Sequence, residues 1–240
     1  MSLPQQTDPL IGRELIEVRH DDGSVEHLRL HDYERLYELP GAYEQIVSDR
    51  LRCVSPQVMA SLLAQAVERT GRSRRSVRVI DVAAGNGMSG EALLAEGLKP
   101  VLGTDIVPSA RVAALRDRPS VYDDYLILDL LALKPEQEQR LRSLRADALH
   151  CVAPVGDSAG QLPEQALAVA VRLLEPDSLV AYMHDPGPNP EDAVTFGFWR
   201  RELGSQVDAR ELIRQRYVHR QTVNGRPYEM NGVVWHIVRA

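Results

Sequence analysis

The 240-residue chain is 44% hydrophobic and 26% charged, with a formal net charge of −6, which allows one sizeable α/β core and a short appendage. An acidic surface is a poor electrostatic match to a phosphate backbone, which argues against nucleic acid as the partner. Cys53 and Cys151 stand apart in no Cys-x-x-Cys pair, a usage that fits a reducing cytoplasm and gives neither a zinc site nor a disulfide framework.

The start carries no positively charged, apolar leader, and no apolar run approaches the length of a bilayer span. A cytoplasmic protein with no membrane contact is therefore expected. Residues 14–30 read as two strands around the turn-forming cluster Asp21-Asp22-Gly23-Ser24. Their imperfect alternation leaves a flexible arm open. Tyr33, Tyr37 and Tyr43 follow around Pro40-Gly41. Ser55-Pro56 has the form of an N-cap with proline at the first helical position, and Met59, Leu62, Leu63, Ala66 and Val67 keep helical spacing behind it.

From residue 77 the pattern becomes regular. Strands are predicted over 77–82, 101–104, 125–128, 148–152 and 179–183. Helices are predicted between them, through 95, from Pro108, over 135–144 and over 165–174. Alternating elements of this kind point to a parallel sheet covered on both faces. The rhythm breaks after a helix near 191–203. Two strand-like runs, 211–223 and 226–238, meet across Asn224-Gly225, a hairpin signal in which both turn positions need positive φ. Plain nucleotide-binding domains normally lack such a hairpin.

The stretch Asp81-Val82-Ala83-Ala84-Gly85-Asn86-Gly87-Met88-Ser89-Gly90 places glycines where a strand must turn into a helix and a ligand must approach the backbone. Gly85-x-Gly87-x-x-Gly90 alone is also a dinucleotide fingerprint. Asp81 argues against a pyrophosphate, which it would repel, and suits a ligand carrying ammonium and sulfonium groups. Asp105 ends the second strand, 24 residues after Asp81, where it is suited to accept both hydroxyls of a ribose, with Ile106 beside it. Asp129 and Leu130 follow the third strand, where an adenine edge would lie.

These residues resemble the class I S-adenosylmethionine-dependent methyltransferases from about residue 77 to the C-terminus. Asp81-x-Ala83-x-Gly85-x-Gly87 matches their first motif, with alanine where the first glycine usually stands. Leu173-Leu174-Glu175-Pro176-Asp177-Ser178-Leu179 resembles their Leu-Leu-x-Pro-Gly-Gly-x-Leu turn, with Asp-Ser for the two glycines. The resemblance implies a Rossmann-like, seven-stranded mixed sheet with helices on both faces, its last strand antiparallel in a C-terminal hairpin. Residues 55–240 would form the S-adenosylmethionine-binding domain, and 1–54 a short arm or lid. Asp81, Ala83, Gly85, Asn86, Gly87, Asp105, Ile106, Asp129, Leu130 and Cys151 would meet the cofactor, with Tyr37 and Tyr43 closing over it. The segment 116–125 looks like a signature of a narrower group and points to no substrate.

Methyl transfer is an in-line displacement that needs a base only when the acceptor must lose a proton. Ligands gather at the carboxyl ends of parallel strands, so His184 and His150 are the candidate bases, with Pro186-Gly187-Pro188-Asn189-Pro190 shaping an acceptor pocket. His219 is expected on a partly exposed strand. The reading is methyl transfer to oxygen, nitrogen or carbon of a small molecule, by a monomer or homodimer without metal. Three alternatives compete with it. Methyl transfer to RNA or protein needs a basic face that Arg72, Arg74 and Arg75 do not make. An NAD(P)-dependent oxidoreductase is opposed by Asp81, by the 76 residues before the motif strand and by the hairpin. A non-catalytic S-adenosylmethionine-binding sensor stays open.

Overall fold

The computed structural model describes residues 1–4, 6, 13–156, 161–186 and 194–239. β1 (Leu15–Arg19) and β2 (Val25–Arg29) pair antiparallel. Asp22 closes their turn, its carboxylate accepting from the Ser24 amide and hydroxyl at 2.9 and 2.6 Å. α1 (Tyr33–Glu38) and α2 (Ala42–Glu44) follow, and α2 runs into a π-helical turn over Gln45–Arg50. Ile16, Leu28, Leu36, Ile46 and Leu51 give this segment its own apolar cluster, so the N-terminal region is a packed lobe rather than a loose arm.

α3 (Ser55–Arg69) leads into the alternating body: β3 (Arg78–Val82), α4 (Met88–Ala95), β4 (Lys99–Asp105), α5 (Pro108–Asp117), β5 (Asp124–Ile127), α6 (Pro135–Ser143), β6 (Ala148–Pro154), α7 (Glu164–Arg172) and β7 (Asp177–His184). α8 (Phe196–Leu203) precedes the long hairpin of β8 (Asp208–Gln221) and β9 (Pro227–Val238). The seven-stranded sheet runs β5-β4-β3-β6-β7-β9-β8. β3 to β7 are parallel, and β9 inserts antiparallel between β7 and β8.

Side chains alternate across these strands, and both faces are covered. On β7, Leu179, Ala181 and Met183 pack with α3 and α4, whereas Val180 and Tyr182 pack with α7 and α8. Trp199 of α8 meets Trp235 of β9 edge-on at 6.3 Å between ring centroids. The N-terminal lobe docks through α1 on α5: Ser109 Oγ donates to Glu34 O at 2.8 Å and Arg116 Nη1 to Tyr37 O at 3.1 Å. It is tied to the hairpin by a buried ion pair, Arg220 Nη2 to Glu14 Oε1 at 2.6 Å. No described helix is long and apolar enough to cross a membrane.

Four local expectations are corrected. Val54, not Ser55, stands at the N-cap of α3; Ser55 is fully buried and its hydroxyl serves other side chains. Of the hairpin's Asn224-Gly225 pair only Gly225 has positive φ, 73°. The Gly225 amide bonds back to Thr222 O and the loop spans five residues, so a tight turn followed by one left-handed glycine replaces the two-residue turn. β6 continues to Pro154, past the expected end at 152. The helix expected near 191–203 begins at Phe196; residues 191–193 lie outside the described residues.

Candidate functional site

A cavity of about 1040 Å³ opens along the carboxyl ends of the parallel strands, under the N-terminal lobe. One end of it is the turn after β3. Ala83, Gly85 and Gly87 take φ values of 54°, 53° and 88°, alternate left-handed residues that swing the chain from strand to helix. Only Ala83 has a side chain there, at a cost of roughly 1 kcal/mol.

Asp105, at the tip of β4, fixes that turn. Its Oδ2 accepts from the Gly85 amide at 2.9 Å and its Oδ1 from the Val107 amide at 3.0 Å. Burial pushes its carboxyl above the ordinary aspartate value, opposed by these amides. A carboxylate has about four acceptor sites, so each oxygen keeps a lone pair beyond its amide bond. Tyr125 Oη donates to Gly85 O at 2.7 Å, which leaves both backbone groups of Gly85 engaged. Thr104, on the same cavity wall, has its Oγ1 buried and without a hydrogen-bond partner among the described residues.

Of the residues expected to meet a cofactor, Ala83, Gly85, Asn86, Asp105, Ile106, Asp129, Leu130, Tyr37 and Tyr43 line the cavity. Asp129 holds its loop by accepting from the Leu131 amide at 2.9 Å. Asn86 is held by its own contacts: its Nδ2 donates to Glu44 Oε1 at 3.2 Å, and Arg118 Nη1 donates to its carbonyl at 3.3 Å. Glu44 also pairs with Arg118, which reaches Glu91 at 3.0 Å. The N-terminal lobe is thereby fastened to the glycine turn.

Asp81, Gly87 and Cys151 are not in the cavity wall, and neither are the two expected bases, His150 and His184. Strand register explains Asp81, His150 and Cys151. Asp81 and His150 are paired neighbours on β3 and β6, one or more residues before the strands end, and they face α4 rather than the edge. Asp81 is sealed by Ser89 Oγ at 2.5 Å, Tyr122 Oη at 2.6 Å and His150 Nδ1 at 3.0 Å, all donating to its carboxylate. Cys151 points into the opposite apolar cluster, where burial pushes its thiol up to about 12. Because β6 runs on to Pro154, residues 152–154 line the cavity in place of His150 and Cys151.

His184 fails for a different reason. Its Nδ1 donates to Asp185 O at 2.8 Å, and its Nε2 accepts from Arg214 Nη1 at 3.0 Å. Burial and the arginine lower its basicity, and both nitrogens are spent. The proline loop expected beside it lies, from 187 to 190, outside the described residues.

Tyr122, from the segment with no assigned role, explains Gly90 and Gly103. A Cβ at Gly90 would lie 2.4 Å from the Tyr122 ring, and one at Gly103 2.9 Å from it. The third glycine of the fingerprint thus makes room for the tyrosine that caps Asp81.

Comparison with solved structures fits this architecture. The chain is 16% identical to a proposed RNA methyltransferase from Pyrococcus horikoshii, over 75% of this chain and 84% of that one, with a TM-score of 0.54. A SAM-dependent methyltransferase from Anabaena variabilis is 14% identical over 85% and 93%, with a TM-score of 0.52. The 1,6-didemethyltoxoflavin-N1-methyltransferase of Burkholderia thailandensis, solved with 1,6-didemethyltoxoflavin and S-adenosylhomocysteine bound, is 16% identical over 78% and 79%, with a TM-score of 0.50. The fold is that of the class I methyltransferases. No protein-family model and no curated protein matches the chain.

In this methyltransferase fold the opposite end of the cavity is lined by residues that sequence reading did not assign to a site: Gln161, Met183, Asp185, His219, Arg220 and Tyr228. Gln161 Nε2 donates to Tyr33 Oη at 2.8 Å and to His31 Nε2 at 3.0 Å, and Tyr228 Oη donates to Asp185 Oδ2 at 3.0 Å. Tyr33 and Tyr37 stack at 6.0 Å, and Tyr43 lies 5.0 Å from Tyr37, forming an aromatic roof. The tyrosine spacing was the only signal of that roof in the sequence.

Proposed function

We propose that the protein binds S-adenosylmethionine at the glycine-turn end of the cavity and transfers its methyl group to a small molecule at the hairpin end. The observation that carries this reading is the use made of Gly85. Its amide, which a pyrophosphate would need, is spent on Asp105, and that carboxylate stands 2.9 Å away. An anionic bridge is disfavoured there, whereas a nucleoside whose ribose hydroxyls donate to Asp105 fits.

On this reading Asp105 holds the ribose and Ile106, Asp129 and Leu130 surround the base. The turn at residues 83–86 runs along the amino-acid portion, and Tyr37 and Tyr43 close over it. Bound S-adenosylmethionine would supply an electrophilic methyl group. The chain supplies position, holding two reactants in one enclosure so that their encounter becomes intramolecular. Pockets for single drug-sized ligands run to about 1,000 Å³ at most, so a cavity of about 1040 Å³ has room for a cofactor and a second small molecule. The roof of tyrosines and the net charge of −6 support a small acceptor over a nucleic acid. The Burkholderia neighbour's bound S-adenosylhomocysteine supports the cofactor.

Calorimetric titration of the purified protein with S-adenosylmethionine, S-adenosylhomocysteine, NAD and NADP tests the reading. Binding of the first two alone is expected. Binding of a nicotinamide cofactor in their place would overturn it.

A further inference from the structure

The hairpin end contains a hydrogen-bond chain that begins at Ser55, the residue withheld from capping α3. Ser55 Oγ lies 2.8 Å from Tyr217 Oη and 2.5 Å from His219 Nδ1, and Tyr217 Oη lies 3.4 Å from Met183 Sδ. A thioether has no hydrogen to give, so the tyrosine is the donor to Met183. Its single hydrogen is then used, and the Ser55 hydroxyl must donate to Tyr217 for that contact to be a bond at all. Ser55 has no second hydrogen, so the bond to His219 is donated by Nδ1–H. All three contacts are satisfied only in this order, which makes His219 the Nδ1–H tautomer with a lone pair on Nε2.

That lone pair has no partner among the described residues: within them the His219 ring bonds only through Nδ1, and the residue lines the cavity. Burial, reinforced by Arg220, holds its pKa at about 3, so the ring stays neutral at ordinary pH. Among the other histidines near the sheet edge, none offers such an atom to the cavity; His150 Nε2 also lacks a partner among the described residues, but that residue is fully buried and outside the cavity wall. His184 Nε2 is taken by Arg214, the Nδ1 of His150 is turned to Asp81, and the Nε2 of His31 accepts from Gln161. Arg220 is itself committed to Glu14 and lies over the Tyr228 ring.

We propose that His219 Nε2 receives the hydrogen of the methyl acceptor, so that the acceptor is a small molecule attacking through a hydroxyl or an amine. The inference rests on the methyltransferase reading above. As the acceptor oxygen bonds to the methyl carbon, the carbon–sulfur pair leaves with the thioether and the O–H proton passes to Nε2; the imidazolium then releases it to solvent. A weak base suffices, because an alkylated hydroxyl is an oxonium and far more acidic than imidazolium.

The test is nitrogen NMR of histidine-labelled protein, free and saturated with S-adenosylhomocysteine, titrated with phenol as a hydroxyl probe. The expected result is a pyrrole-type signal at His219 Nδ1 and a pyridine-type signal at Nε2 that phenol shifts. Tyr217→Phe removes the acceptor for the Ser55 hydrogen, which then turns to Nδ1. That variant should show the Nε2–H tautomer, with no pyridine-type nitrogen left to take the phenol proton and the phenol-induced shift of such a signal lost, at unchanged affinity for S-adenosylhomocysteine. An Nε2–H tautomer in the wild type, or no phenol response at His219, would overturn the proposal. Failure of S-adenosylhomocysteine to bind would instead sink the methyltransferase reading, because the tautomer is read on the free protein as well.

Discussion

The two ends of the cavity share one sheet edge but are assembled by different means. The glycine-turn end comes from three short runs, 82–86, 104–107 and 128–131, each at the carboxyl end of a parallel strand. The hairpin end takes single side chains from the lobe, α3, β7, β8 and β9: Cys53, Pro56, Met183, His219 and Tyr228 stand far apart in sequence. Chain geometry alone builds the first, and it needs little beyond a strand tip and a left-handed turn. Tertiary packing builds the second, so its integrity depends on how the lobe sits on the hairpin.

The largest effect that separates the ends should come from Glu14→Ala. Glu14 and Arg220 are 1% and 5% exposed at their side chains, and removing the carboxylate leaves a buried guanidinium uncompensated. A loss of about 3–5 kcal/mol is expected in a denaturant titration. A loss below about 1 kcal/mol would show that the lobe contributes little to the hairpin end. At the glycine-turn end, Gly90→Ala forces a methyl group against Tyr122 and Val121, each 2.4 Å from the new Cβ. Overpacking of that kind costs about 1–3 kcal/mol. An unchanged melting temperature would mean that Tyr122 does not seal Asp81 as described.

A smaller, graded effect concerns pH. The unfolded His219 takes a proton near 6.5, whereas the folded residue resists it down to about 3. The unfolded chain therefore binds more protons between these values. The stability associated with neutral His219 is complete above about pH 6.5 and is lost on acidification by up to about 1.4 kcal/mol per unit. Cys53 and Tyr228 lie beside the ring and Tyr217 reaches it through Ser55, and the raised pKa values of all three keep them uncharged in that range. His219→Gln should flatten the slope of stability against pH relative to the wild type between about 6.5 and 4. Parallel slopes would show that the ring is more accessible than its contacts indicate.

The same contrast explains what could be read in advance. Alternating strands and helices, the turn at 83–87 and Asp105 were visible because period-two and period-3.6 patterns and left-handed glycines are local properties of the chain. Asp81 and His150 were placed at strand ends, but alternation turned both toward α4, and the extension of β6 to Pro154 moved the edge past Cys151. A one-residue difference in register reverses the face a side chain occupies. Ser55 looked like a cap because its neighbours fit one; its actual partners, Tyr217 and His219, lie more than 160 residues away. No local pattern announces a bond of that span.

The central claim is that Asp105 holds a ribose at the glycine-turn end. Titration of S-adenosylhomocysteine into wild type and Asp105→Ala, side by side in a calorimeter, tests it most directly. The wild type should bind, and the variant should bind about 5- to 150-fold more weakly, the worth of roughly 1–3 kcal/mol of charge-assisted hydrogen bonding. Equal affinities, or no binding by the wild type, would contradict it.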